Sequence, residues 1–110
     1  MQVVVRLALL AVLTIALVCC VNTTTSNFAQ GINYFKVKEY RRAFIRLMPE
    51  AERGQSDAQY AVGYMYYYGE GVIENRQKAL YWIEKAASKG QPDAVEAMKI
   101  LTTTGTVEDF

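Results

Sequence analysis

The sequence contains no histidine, and both of its cysteines, Cys19 and Cys20, lie in the apolar N-terminal stretch. Histidine and cysteine supply most zinc ligands and the base or nucleophile of many hydrolytic sites. Metal binding, thiol catalysis and Ser–His catalysis therefore have no candidate residues in the rest of the chain, and no cofactor is expected. Without a cysteine pair there, an exported domain of this size would have to be stabilised by packing alone.

The sequence also has little excess charge. Its formal net charge is +1, and basic and acidic residues balance once Arg6, which stands in the apolar N-terminal stretch, is set aside. Proteins that bind nucleic acid need surplus lysine and arginine to neutralise phosphates. No nucleic-acid partner is therefore expected, and 110 residues allow one small domain at most.

The N-terminus has the pattern of an export signal. Arg6 precedes Leu7 to Val18, which is apolar except for Thr14. The apolar stretch up to Val21, as a helix, would rise about 22 Å, against a hydrocarbon core of about 30 Å. Residues 1–20 are therefore predicted to be a signal peptide, and the mature protein is expected in the periplasm or on the outer membrane. An uncleaved inner-membrane anchor and a secreted protein are the less favoured alternatives.

The end of this stretch resembles the lipobox of bacterial lipoproteins. Leu17 and Val18 fit that pattern, whereas Cys19 stands where the family usually has Gly, Ala or Ser. The resemblance implies a diacylglycerol on Cys20, which would be the lipidation site. Cleavage of an ordinary signal nearby is the alternative. The polar residues 21–26 are predicted to be a tether between this point and the first helix.

Two segments of the chain repeat each other at a fixed distance. Residues 51–58 (AERGQSDA) align with residues 87–94 (ASKGQPDA), an offset of 36 positions. A fixed period of this size is typical of stacked helix pairs, so the sequence predicts an all-α fold, an α–α superhelix. Such arrays mostly present surfaces that bind other proteins.

A second agreement lies further upstream in each unit. Gly31 and Tyr34 match Gly63 and Tyr66 at an offset of 32, so the second unit has four extra residues in its interhelical loop. The chain is predicted to hold about two and a half helix-hairpin repeats. The predicted segments are a degenerate first repeat at 27–54, a second repeat at 55–90, a capping helix at 91–104 and a flexible tail at 105–110.

Several residues predict how the helices begin and pack. Ser56 and Gln59 have the spacing of a capping box, and Asn75 is a suitable N-cap for the next helix. Pro92 suits the first turn of the last helix. Gly63 lies beside the apolar face of its helix, where a missing side chain would allow a neighbouring helix to approach closely.

The second unit is similar to the Sel-one-like repeat, a branch of the tetratricopeptide-like helical repeats. The similarity is carried by AQYAVGYMY at 58–66, GEGV at 69–72, KALYW at 78–82 and KAASKG at 85–90. It extends from about Phe28 to Leu101 and implies a superhelix that mediates protein–protein contacts. Lys99 and Thr102 replace the glycine and tyrosine of the pattern, as expected for a polar capping helix.

Two rows of large apolar side chains are the predicted partner-binding residues. Three tyrosines recur at i, i+4 and i+7, and the 32-residue offset places three further apolar residues at the equivalent positions of the first unit. In the related tetratricopeptide fold, these positions line the concave, peptide-binding groove. The predicted binding residues are Phe28, Ile32, Phe35, Tyr60, Tyr64 and Tyr67. The alternative is that some of them, such as Tyr60 or Phe28, only seal neighbouring helices.

Two charged groups have weaker functional interpretations. A basic cluster could contact acidic lipid headgroups or an acidic partner, but a solvated helix face is favoured; it comprises Lys36, Lys38, Arg41, Arg42 and Arg46. Glu70 and Glu74 could do acid–base chemistry only in a pocket that separates their pKa values. They flank loop glycines, so solvated loop residues are expected and no enzyme activity is predicted.

The sequence therefore predicts an exported or lipid-anchored adaptor that binds other proteins through an aromatic-lined concave face. The alternative is a self-associating structural subunit of a cell-envelope assembly, since so few repeats leave end faces that could pack on a second copy. Homo-oligomerisation therefore stays open, and the partner is an unidentified protein.

Overall fold

The computed structural model describes the backbone of residues 1–104 and the side-chain surroundings of residues 1–13 and 27–104. Five α-helices occur in this part of the chain, and no β-strand does. They are α1 (Gln2–Lys36), α2 (Tyr40–Glu52), α3 (Ser56–Tyr68), α4 (Arg76–Ser88) and α5 (Pro92–Thr103). The prediction of an all-α fold is confirmed, and the predicted tail at 105–110 lies outside the described residues.

The helices pack in chain order. Helices α1 and α2 form one hairpin, α3 and α4 form the next, α2 contacts α3, and α5 packs on α4. Each helix pair therefore meets its neighbours along one direction, which is the arrangement of a helical solenoid. Two hairpins followed by a single helix match the predicted two and a half repeats.

Helix α1 is much longer than the sequence suggested. It runs without interruption for 35 residues, so the segment 21–26, which we expected to be a tether, is helical. That segment contains no glycine or proline, and the threonines in it cost little helix stability between two helical neighbours. Cys19 and Cys20 lie on this helix, but their side chains are outside the described set. Among the described residues, no helix is sufficiently long and apolar to span a bilayer.

The core lies where the two hairpins meet. Its largest cluster comes from one face each of α2, α3 and α4: Ala43, Leu47, Ala51, Ala58, Val62, Met65 and Trp82. A smaller cluster joins α4 to α5 through Ile83, Ala86 and Ala94. Small and large side chains alternate across these contacts, so the helices interlock closely.

Gly31 and Gly63, at equivalent positions of the two hairpins, allow the two helices of each hairpin to approach closely. A Cβ built on Gly63 would lie 2.7 Å from Ile83 Cγ1 and 3.1 Å from the Ala79 carbonyl oxygen. A Cβ on Gly31 would lie 2.7 Å from the Leu47 side chain. The expected role of Gly63 is confirmed, and Gly31 plays the same part in the first hairpin.

The predicted N-cap of α4 is confirmed, and the predicted capping box of α3 is wrong. Asn75 Oδ1 accepts a hydrogen bond from the Lys78 backbone N–H at 2.9 Å. Helix α3 instead follows Gln55, with no side-chain cap, and Ser56 is its first helical residue. The Gln59 amide is turned inward, where its Nε2 donates to the Ala51 carbonyl at 3.1 Å. It therefore joins α3 to the last turn of α2 and does not cap α3.

The loop between α3 and α4 folds back on the first hairpin. Gly69 ends α3 in the left-handed conformation, with φ +68°. Gly71 also has positive φ, and its Cα approaches the backbone of Tyr40, the first residue of α2. Val72 packs against the main core cluster. The long loop is therefore part of the contact between the two repeats.

Candidate partner-binding groove

A groove lies between α1 and α3 and reaches the start of α5. We call it the aromatic groove. It is lined by Phe28, Ile32 and Phe35 from α1, Asp57, Tyr60, Ala61 and Tyr64 from α3, and Gln91 and Asp93 at the start of α5. The structure thus brings together five of the six predicted binding residues from two helices that are not consecutive in the chain.

The rings of the aromatic groove hold one another in place. Phe35 meets Tyr64 edge to face with 5.8 Å between ring centroids, and Tyr40 at 5.3 Å. Tyr60 and Tyr64 lie 6.5 Å apart on successive turns of α3. Edge-to-face pairs at these distances are mutually attractive, so the groove walls are pre-formed in the free protein.

Tyr67, the sixth predicted residue, lies in a neighbouring depression instead. That depression is lined by Tyr60, Tyr64, Tyr67, Tyr68, Ile83, Ala97, Ile100 and Leu101. The Arg76 guanidinium stands 4.0 Å from the centroid of the Tyr67 ring. Because Tyr60 and Tyr64 line both depressions, they are the central pair of the whole surface.

Sequence reasoning missed the contribution of α5 to this surface. Ile100 is 56% exposed, and Tyr68 is 59% exposed at the end of α3. The 36-residue period already places Ile100 at the position of Tyr64, and Ala97 at that of Ala61. The repeat period could therefore have predicted that Ile100 and Ala97 of α5 contribute to this surface. The position of Tyr68, in contrast, depends on where α3 ends.

The side chains of the groove both pack and face outward. Phe28, Ile32 and Phe35 are half-buried against the main core cluster. Tyr60 is half-buried against the smaller cluster between α4 and α5. Phe28 and Tyr60 therefore pack against neighbouring helices, as the alternative interpretation held, and they also line the groove.

Burial makes both central tyrosines harder to ionise than a free tyrosine. It raises the pKa of Tyr60, and the nearby Asp93 carboxylate raises it further. The pKa of Tyr64 is raised first by burial and then by Glu70. Both phenols stay neutral well above physiological pH, so each hydroxyl remains available to donate a hydrogen bond to a partner.

The basic cluster lies elsewhere and is exposed. Arg42 pairs with Glu39 at 3.1 Å, and Arg46 Nη1 donates to Asn27 Oδ1 at 3.3 Å. Arg41 lines depressions beside the α3–α4 loop, and it lines neither the aromatic groove nor the depression that contains Tyr67. A solvated helix face, the favoured interpretation, agrees with these contacts.

The two loop glutamates do not share one environment. Glu74 accepts a hydrogen bond from Arg76 Nε at 2.9 Å. One carboxylate oxygen of Glu70, Oε2, is buried and has no hydrogen-bond partner. Within residues 1–13 and 27–104, no cluster of three potential metal-ligating side chains occurs.

The fold and its groove define a helical-hairpin repeat protein, and comparison with known proteins identifies the type of repeat in its second hairpin. Residues 56–91, which comprise α3, the long loop and α4, match the Sel1 repeat model. A crystal structure of a Sel1 repeat protein from Oxalobacter formigenes is similar, with a TM-score of 0.65 and 34% identity over 71% of this chain and 24% of that one.

A plant protein also matches part of the chain. The ERAD-associated E3 ubiquitin-protein ligase component HRD3A of Arabidopsis thaliana is 38% identical over 50 residues, which are 44% of this chain and 7% of that protein. This chain spans less than a quarter of either relative. Residues 56–91 therefore form a Sel1-like repeat of the tetratricopeptide-like class, as predicted. Proteins of this family generally mediate protein–protein interactions.

Proposed function

We propose that the protein is an adaptor that binds an extended segment of a partner protein in the aromatic groove. One observation carries this proposal: aromatic and aliphatic side chains from α1 and α3 converge on a groove that is left open by the helices of residues 27–104. The family's general role in protein–protein interaction supports it.

The groove has the chemistry that such binding needs. Apolar ring faces would accept partner side chains, and the Tyr60 and Tyr64 hydroxyls would donate to partner backbone carbonyls. Because ring–ring contacts such as Phe35–Tyr64 already order the walls, little side-chain entropy would be lost on binding.

Replacing Tyr60 and Tyr64 together with serine is expected to abolish partner binding while leaving the helices intact. The double variant removes two rings at the centre of the surface, where truncation of aromatic residues typically weakens binding by about tenfold or more. The measurement is affinity capture from the cells that make the protein, with helical circular dichroism recorded on each variant.

The matched control is Tyr81→Ser, which removes an exposed tyrosine of α4 outside both depressions. Proteins retained by the wild type and by this control but lost by the double variant would be groove partners. Unchanged capture by the double variant would contradict the proposal. Loss of helical signal would instead make the two tyrosines core residues.

We further propose that the protein is exported and attached to a membrane by a lipid on Cys20. The apolar stretch Leu7–Val18 and the residues before Cys20 support this location. Labelling cells with a radioactive fatty acid is expected to mark the wild type and not a Cys20→Ala variant, because only a cysteine sulfur can form the thioether. A Cys19→Ala variant is the control and should still be labelled. An unlabelled wild type would end the lipoprotein proposal.

A further inference from the structure

Charge is distributed unevenly around the aromatic groove. Two aspartates, Asp57 and Asp93, line it, and no lysine or arginine is among its lining residues. Basic side chains line two other depressions. Arg41 and Lys78 line a depression beside the α3–α4 loop. A second depression, at the start of α2, is lined by Lys38, Arg41 and Arg42. Although the net charge is nearly neutral, the two aspartates therefore line the groove and these basic side chains line other surfaces.

The two aspartates occupy equivalent places in successive repeats. Asp57 lies in the first turn of α3 and Asp93 in the first turn of α5, 36 positions apart. Both are exposed, and in the part of the chain that the structure describes neither forms an ion pair. Gln91 Nε2 donates to Asp57 Oδ1 at 3.3 Å, which links the two helix starts.

First-turn aspartates also stabilise helices, because a negative charge there interacts favourably with the helix dipole. That role alone does not require the carboxylates to border an apolar groove. Here Asp93 lies close enough to the Tyr60 hydroxyl to raise the pKa of that tyrosine. Acidic and aromatic groups therefore lie within the reach of a single bound segment.

We infer that the occupant of the aromatic groove is a polypeptide segment that carries a lysine or arginine next to a large apolar residue. The apolar side chain would lie among Phe28, Ile32 and Tyr64, and the cation would lie between Asp57 and Asp93. This inference rests on the proposed function, because it names the chemistry of the segment that the same groove takes.

Four fluorescein-labelled peptides of ten residues test the inference on the full-length chain. Three share a Leu-Phe centre flanked by lysines, by glutamates or by serines, and the fourth has lysines without the apolar centre. Fluorescence anisotropy would give the Kd of each at low and at high salt. The lysine-flanked apolar peptide is expected to bind about fivefold more tightly than the serine version, as two partly exposed ion pairs would allow.

Replacing both aspartates with asparagine (Asp57→Asn with Asp93→Asn) is expected to remove that preference and leave binding of the serine peptide unchanged. High salt should also reduce the preference, because exposed charges are screened. The matched control is Glu52→Gln with Glu84→Gln, which removes two exposed carboxylates that do not line the groove and should keep the preference.

The possible outcomes distinguish a failure of this inference from a failure of the proposed function. Equal affinity for the lysine and glutamate peptides, or a preference that survives the aspartate variant, would overturn the inference while the groove remains a binding site. Lysine peptides bound equally well with and without the apolar centre would show charge attraction alone and would also overturn it. No binding of any apolar peptide would refute the proposed function and this inference with it.

Discussion

Replacing Gly71 with alanine is expected to destabilise the protein by about 2 to 5 kcal/mol, the sum of a left-handed backbone penalty and a steric clash. Gly71 has φ +73°, and a Cβ there would lie 2.5 Å from the Tyr40 carbonyl carbon and 2.7 Å from the Arg41 nitrogen. Those atoms belong to the backbone at the start of α2, so no side-chain rotation relieves the clash.

Gly90 supplies the matched control for this prediction. Its φ is +82°, close to that of Gly71, but a Cβ built on it would meet nothing within 4 Å. Gly90→Ala should therefore cost only the backbone penalty of about 1 to 2 kcal/mol. Urea unfolding followed by circular dichroism would give both free energies. Equal losses for the two variants would show that the α3–α4 loop does not press on α2.

The loop contact also has a consequence for the groove. Tyr40, whose backbone Gly71 approaches, stacks edge to face on Phe35, which lines the aromatic groove. Displacing the start of α2 would therefore move one wall of the binding site. A change in the long loop that weakens the contact between the two hairpins is therefore also expected to change the shape of the groove.

Replacing Gln59 with glutamate is expected to make the stability of the protein strongly dependent on pH. Gln59 is 1% exposed and donates to the Ala51 carbonyl at the junction of the two hairpins. A carboxylate there would face a carbonyl oxygen without a donor, and an uncompensated buried charge costs about 3 to 5 kcal/mol. A protonated carboxyl group, in contrast, could donate to Ala51 as the amide does.

The direction of the pH dependence follows from burial. Burial raises the pKa of the folded-state carboxyl group above the value of about 4.3 that glutamate has in an unfolded chain. The Gln59→Glu variant should therefore be close to wild-type stability below pH 4 and lose stability as the pH rises through the folded-state pKa. Unfolding free energies measured between pH 3 and pH 8, relative to the wild type, would test this.

Replacing Gln59 with methionine distinguishes the effect of a buried charge on stability from the effect of a changed side-chain shape. Gln59→Met keeps a long side chain and removes a buried Oε1 that has no hydrogen-bond partner. The Ala51 carbonyl would still accept from the Gly54 backbone N–H at 3.1 Å. We expect a loss below about 1.5 kcal/mol that does not vary with pH. A Gln59→Glu variant as stable as Gln59→Met at pH 8 would show that water reaches this junction.

Much of the candidate site could be predicted because it follows the repeat. The spacing of Tyr60, Tyr64 and the 32-residue offset to Phe28 and Ile32 identified side chains that the structure places in one groove. Tyr67 was assigned to the same face by helical spacing, yet it lines the adjacent depression. Spacing along one helix does not show which neighbouring helix a side chain will meet.

The sequence by itself determined the helical class, the two hairpins with a final helix, and the close approach at Gly63. These features are encoded within a repeat, in residues that are neighbours along the chain or one period apart. The tertiary structure alone decided that Gln59 reaches α2 and that Asp57 and Asp93 border one groove. Those outcomes depend on how separate helices are placed, because burial and distance between them are properties of the packed molecule.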